Sequence, residues 1–136
     1  MFTTLLRPPT AAFLPEHERI LADILSSDDC ERAIAGSREL VLIRDLAGRV
    51  LSLSPQWSVL LGYSTEQLLG EPLLNLIHPE DVWATHDVMD GVTSSGIVSG
   101  YVNRYRGADG VYRQLVWTAR RHGDRVVGVA HELPVR

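Results

Sequence analysis

Apolar positions along this chain alternate between helical and strand spacing, and each change of period marks an element. Residues 1–14 contain Pro8-Pro9 and no clear period, which predicts an irregular arm. From Pro15, with Glu16 and Glu18 suited to the positive end of a helix, Ile20, Leu21, Ile24 and Leu25 recur at helical spacing. Asp28 followed by Glu31 predicts an N-capped second helix that Gly36 stops. The period then falls to two. Glu39–Asp45 and Arg49–Ser54 read as strands joined at Leu46-Ala47-Gly48, with Val50, Ser52 and Ser54 on a polar face opposite Leu51 and Leu53. That alternation predicts a sheet with one covered face.

The middle of the chain is punctuated by helix signals. Ser54-Pro55 offers a cap before Trp57–Leu61, and Gly62 ends that turn. Ser64-Thr65-Glu66-Gln67 has capping-box spacing, Gly70 closes the next turn, and Pro72–Ile77 is another short turn. The longest helix is expected to open at His78-Pro79-Glu80-Asp81 and run to about Thr93. Three strands follow, Ile97–Arg106, Val111–Arg121 and Arg125–Leu133, joined at Asp109-Gly110 and Gly123-Asp124. The fold class is therefore α+β: a five-stranded antiparallel sheet with short helices on one face and an N-terminal helical extension. Residues 1–37 form the arm and extension, and residues 38–136 form the main domain.

Composition narrows the classes open to such a fold. The 136 residues carry 17 acids and 13 bases, mixed along the chain, so no basic face speaks for nucleic acid. No apolar run is long enough to span a membrane, and the lone Cys30 has no partner for an internal disulfide. A cytoplasmic protein with no membrane insertion is the expectation. The five histidines, His17, His78, His86, His122 and His131, are dispersed without zinc-like pairing.

Several fragments, weak singly but specific in their order, resemble the PAS sensory-domain family of bacterial signalling proteins across Glu39–Leu133. They are Asp45 to Arg49, Ser54-Pro55 where the family usually has Asn-Pro, Leu61-Gly62-Tyr63-Ser64, Leu69-Gly70, Ile77 to Asp81, Tyr105-Arg106, Asp109-Gly110, Tyr112-Arg113 and Val127 to Ala130. Where the family closes on Asp-Ile-Thr before an effector helix, this chain reads Glu132-Leu133-Pro134. That suggests either a stand-alone PAS protein acting through partners or a domain cut from a longer chain, and the initial Met favours the first. The resemblance implies a non-catalytic sensor or interaction module regulating signalling proteins such as histidine kinases. It also implies homodimerisation through the N-terminal helix, with Ile20, Leu21, Ile24 and Leu25 as the interface unless they cover their own sheet.

Candidate chemistry centres on one helix and the strand facing it. Val82, His86, Met89 and Val92 or Thr93 fall on one stripe of the long helix, which predicts an inward His86. In the haem-binding PAS domains of oxygen-sensing kinases the iron ligand is a His at this spacing from the preceding Pro, here Pro79, and is followed by Asp, here Asp87. The first alternative is accordingly a haem-binding gas or redox sensor with His86 as axial ligand, and Tyr101 where those sensors place an Arg. Light-sensing relatives need a Cys after the first helices of the domain, whereas Cys30 precedes the sheet, so a flavin-thiol adduct is not expected. Trp57 is assigned to the core. Trp83 and Trp117 are left open between core packing and stacking on a planar ligand, and Trp117, on a mixed strand face with Arg113 and Leu115, is also the candidate for a surface used by partners. The second alternative, a small pocket enzyme using Asp81, His86 and Tyr101, lacks any nucleophile motif, phosphate loop or metal cluster. No catalytic residue is assigned.

Overall fold

The computed structural model describes residues 14–134. The arm expected before Pro15 lies outside the described residues apart from Leu14. Helix α1 (Pro15–Leu25) and helix α2 (Cys30–Ala35) precede strands β1 (Leu40–Asp45) and β2 (Val50–Leu53). Helices α3 (Gln56–Leu61) and α4 (Thr65–Leu68), two 3-10 turns (Leu73–Leu76 and Pro79–Asp81) and helix α5 (Val82–Ser95) come next. Strands β3 (Ile97–Arg106), β4 (Tyr112–His122) and β5 (Arg125–Glu132) complete one antiparallel sheet of order β2-β1-β5-β4-β3.

Local signals explain most boundaries. Ser64 and Gln67 close a reciprocal capping box on α4, and Gly62 ends α3 in the left-handed conformation that glycine adopts without a Cβ penalty. The cap of α2 is Asp29, one residue later than the spacing predicted, because its carboxylate is the one that accepts from the Arg32 amide at 3.1 Å. Pro79 opens a separate 3-10 turn in place of the first turn of the long helix, and the His78 ring accepts from the Glu80 amide at 3.1 Å. Ser54 caps no helix. Its hydroxyl accepts from the Val41 amide and donates to the Glu39 carbonyl, so it extends the β1 pairing beyond the end of β2.

The expected polar face of β2 is overturned by register. Leu42 pairs with Leu53, Ile43 with Ser52, and Arg44 with Val50, so Leu51 is the extra residue of a bulge. It is 38% exposed, while Val50 and Ser54 are buried.

Both faces of the sheet are covered. The inner face carries Leu40, Leu42, Leu115 and Trp117 beneath α3, α4 and the 3-10 turns, and the Trp57 and Trp117 rings stack there at 5.4 Å. Gly128 on β5 has no Cβ, and a Cβ there would meet the Trp117 ring at 2.8 Å, so only glycine lets the indole lie flat on the sheet. The outer face carries Val41, Ile43, Val127 and Val129, which α1 and α2 cover with Leu21, Ile24 and Ile34. Each such aliphatic side chain contributes about 1.5–3 kcal/mol on burial. His17 reaches across from α1, with Nδ1 at 2.7 Å from Thr118 Oγ1 and Nε2 at 2.7 Å from His131 Nδ1.

Asp81 fastens the start of α5 to β3. Its Oδ2 accepts from the Arg104 backbone amide and from Nε, both at 2.9 Å, and Oδ1 accepts from Nη2 at 2.8 Å. These bonds hold the Asp81 carboxyl below the usual carboxylate range. A depressed folded pKa means that the stabilisation is present above the ordinary Asp pKa and is lost as pH falls through the folded one. Asp81→Asn is expected to lower stability by about 1 kcal/mol near neutrality, the pair being partly solvated. Urea melts at neutral pH check this, and a midpoint equal to that of the wild type would remove the role.

Candidate functional site

A cavity of about 80 Å³ lies between the inner face of the sheet and α5. Thr85, Val88, Met89 and Val92 line it from the helix at the spacing of one helical face. Leu42 and Arg44 on β1, Tyr101, Asn103 and Tyr105 on β3, Trp117 and Ala119 on β4, and Val126 and Gly128 on β5 complete the sheet wall. A single water needs roughly 10–15 Å³, and pockets for drug-sized ligands run to about 300–1,000 Å³. The space therefore suits a very small molecule.

Its uncharged polar side chains form one connected chain. Tyr101 Oη and Thr85 Oγ1 are 3.0 Å apart, and Asn103 Nδ2 donates to Thr85 Oγ1 and to Tyr105 Oη, each at 3.2 Å. Trp117 Nε1 in turn donates to Asn103 Oδ1 at 3.1 Å. Burial pushes both phenols above their ordinary pKa, so they remain neutral hydrogen-bonding groups. Arg44 is the one charged side chain in the wall. Its Nη1 donates to the Asp45 carbonyl at 2.9 Å and its Nη2 to the Met89 carbonyl at 3.4 Å.

Of the residues singled out in the sequence, Tyr101 lies in this wall and is 4% exposed. His86 does not. Its side chain is 55% exposed and its Nδ1 lies 3.5 Å from Asp90 Oδ2. The expected stripe holds at Met89 and Val92, which line the cavity, but the inward residue one turn earlier is Thr85, and one residue further along is about 100° round the helix, which turns His86 outward. An axial bond from His86 to a group in the cavity is therefore not available in this arrangement. Asp81, His86 and Tyr101 each have a different partner, Arg104, Asp90 and Thr85, and make no shared acid–base constellation.

As a partner surface, Trp117 is corrected. It is 9% exposed, faces the helical layer and lines the cavity, because its strand face is the inner one that Leu115 also occupies. Leu21 and Ile24 are buried on the chain's own sheet, with Ile20 and Leu25 packed beside them. In this arrangement the apolar stripe of α1 is occupied within one molecule. Cys30 belongs to this outer layer, its thiol donating to the Ile24 carbonyl at 3.2 Å. Trp57 is 1% exposed, as assigned, whereas Trp83 stands 82% exposed on the first turn of α5.

Two wall residues escaped the sequence reading although alternation marks them both. Leu40, Leu42 and Arg44 share a face of β1, and Tyr101, Asn103 and Tyr105 share a face of β3. A polar residue in register with core residues is the informative signal.

An antiparallel sheet covered on its inner face by short helices around a small, mostly apolar cavity is the architecture of a sensory domain. The chain belongs to the PAS family: the family model described as the PAS fold matches residues 50–129. PAS domains are in general non-catalytic sensor modules. No curated protein matches the sequence significantly. Similar solved structures include a PAS domain from Colwellia psychrerythraea, at 22% identity and TM-score 0.64, covering 75% of this chain and 92% of that one. The PAS-B domain of Drosophila melanogaster Cycle with bound ethylene glycol is similar at 20% identity and TM-score 0.64, over 69% of this chain and 99% of that one. A domain of a sensory box sensor histidine kinase/response regulator from Geobacter sulfurreducens is similar at 14% identity and TM-score 0.65, over 74% and 88%. At these identities the likeness is one of fold.

Proposed function

We propose that the chain is a non-catalytic sensor in which occupancy of the inner cavity is reported on the opposite face of the sheet by α1. The observation that carries this is the sharing of strands between the two faces. Trp117, Ala119, Val126 and Gly128 line the cavity, while Thr118, Val127 and Val129, interleaved with them, hold α1. A ligand that prefers one sheet curvature or indole position thereby shifts the population of docked α1. A signalling partner such as a histidine kinase, in the cytoplasm, reads that population. Homodimerisation belongs to the same reading, because Ile20, Leu21, Ile24 and Leu25 become available to a second copy only when α1 leaves its seat.

The test fills the cavity from the sheet side with Ala119→Leu and follows amide hydrogen exchange along the chain. The reading expects a several-fold change in α1 protection together with a change in α5. Altered exchange confined to α5 and the strands, with α1 untouched, would overturn it.

A further inference from the structure

We infer that the cavity takes a small organic anion, a short-chain aliphatic monocarboxylate, with its carboxylate on Arg44 and its tail toward Val88 and Val92. This rests on the reading of the cavity as a ligand site and adds the chemistry of the ligand. Arg44 is 7% exposed and stands on β1 in the row of Leu40 and Leu42. Its two guanidinium hydrogen bonds go to backbone carbonyls, which are neutral acceptors. Among the described residues no carboxylate lies within ion-pair distance of it. The acids whose fields reach it are engaged elsewhere: Asp45 Oδ1 accepts from the Ala47 and Arg49 amides, and Asp90 faces His86.

A buried cation without a counter-ion is costly, and burial accordingly lowers the Arg44 pKa. A carboxylate is the complement, since its two oxygens match the guanidinium fork and its charge restores neutrality. The remaining walls select what is attached to that carboxylate. The members of the Tyr101–Thr85–Asn103–Trp117 chain are hydrogen-bonded to one another, and Val88, Met89, Val92, Val98 and Val126 leave the rest of the space apolar. A cavity of about 80 Å³ suits a short tail.

The test is a titration of the full chain by amide-resolved NMR with butyrate and with its neutral isostere butyramide. Butyrate is expected to shift the amides of the cavity wall saturably and to bind roughly tenfold or more tighter than butyramide, as a charged hydrogen-bonded pair requires. Arg44→Gln should reduce butyrate to the level of butyramide, and Arg44→Lys, which keeps the charge but not the fork, should fall between. The comparison of the two ligands on the unaltered protein stands even where a variant fails to fold. Equal binding of both would overturn the anion and leave the cavity reading intact. Butyrate shifts confined to surface amides would likewise overturn it. Silence of the cavity amides to both compounds would count against the ligand site and the anion together, whereas an unmoved α1 in the Ala119→Leu experiment touches only the readout.

Discussion

Trp57→Ala is expected to destabilise the protein by about 3–5 kcal/mol, a large part of what a domain of this size has to lose. Three interactions go at once. The indole is 1% exposed in the inner core, its ring stacks on Trp117, and its Nε1 donates to the Val41 carbonyl at 3.1 Å. That carbonyl also accepts from the Ser54 amide at 2.9 Å, so the region joining β2 to α3 is fastened to β1 at one point. Trp57→Phe separates the contributions: it keeps an aromatic ring and removes the hydrogen bond, and is expected to cost about 1–3 kcal/mol. Urea unfolding followed by far-ultraviolet circular dichroism checks both. A midpoint for Trp57→Ala within error of that for Trp57→Phe would show that the stacked ring contributes little.

Acidification is expected to loosen α1 first. Burial, with the neighbouring His131 adding to it, pushes His17 down to about 4 from an ordinary value of 6.5. Because the folded pKa is the lower one, the unfolded chain binds the proton more readily. The stability tied to neutral His17 is therefore complete above pH 6.5 and is lost as pH falls from there toward 4. Allowing for solvent screening, the loss is on the order of 2 kcal/mol. Asp81 contributes in a lower range, so the two slopes are separable. Unfolding midpoints recorded from pH 7 to pH 5 should decline in the wild type and be flatter in His17→Gln. A flat wild-type profile would mean that the ring accepts its proton without cost where it stands.

Legibility in the sequence followed the strength of local chemistry. The three C-terminal strands and their turns were plain because Asp109-Gly110 and Gly123-Asp124 punctuate long alternating runs. The capping box at Ser64 and the stop at Gly62 were equally plain. What failed was phase. On α5 the apolar signal is thin, with Trp83 outside and Thr85 inside, so the stripe held at Met89 and Val92 but took His86 for the inward residue in place of Thr85. On β2 a bulge reversed the faces, and no local residue announces a bulge whose cause is the pairing with β1. The outer layer stayed between two readings for another reason: a helix stripe such as Ile20 to Leu25 carries no mark of whether its partner is a sheet or another molecule. Tyr101 was found by resemblance, while Arg44 and Asn103 needed only the parity of their strands.

The sheet order has a bearing on synthesis. β5, the last of the five strands, sits between β1 and β4 at the centre, and it supplies Val127 and Val129 to the seat of α1. A nascent chain emerging from the ribosome can close the β1–β2 hairpin early, but the far edge of β1 stays open until residues 125–132 are free to enter. During that interval an apolar strand edge and the unseated face of α1 are exposed together, which makes the partly synthesised chain the species most in need of chaperone protection.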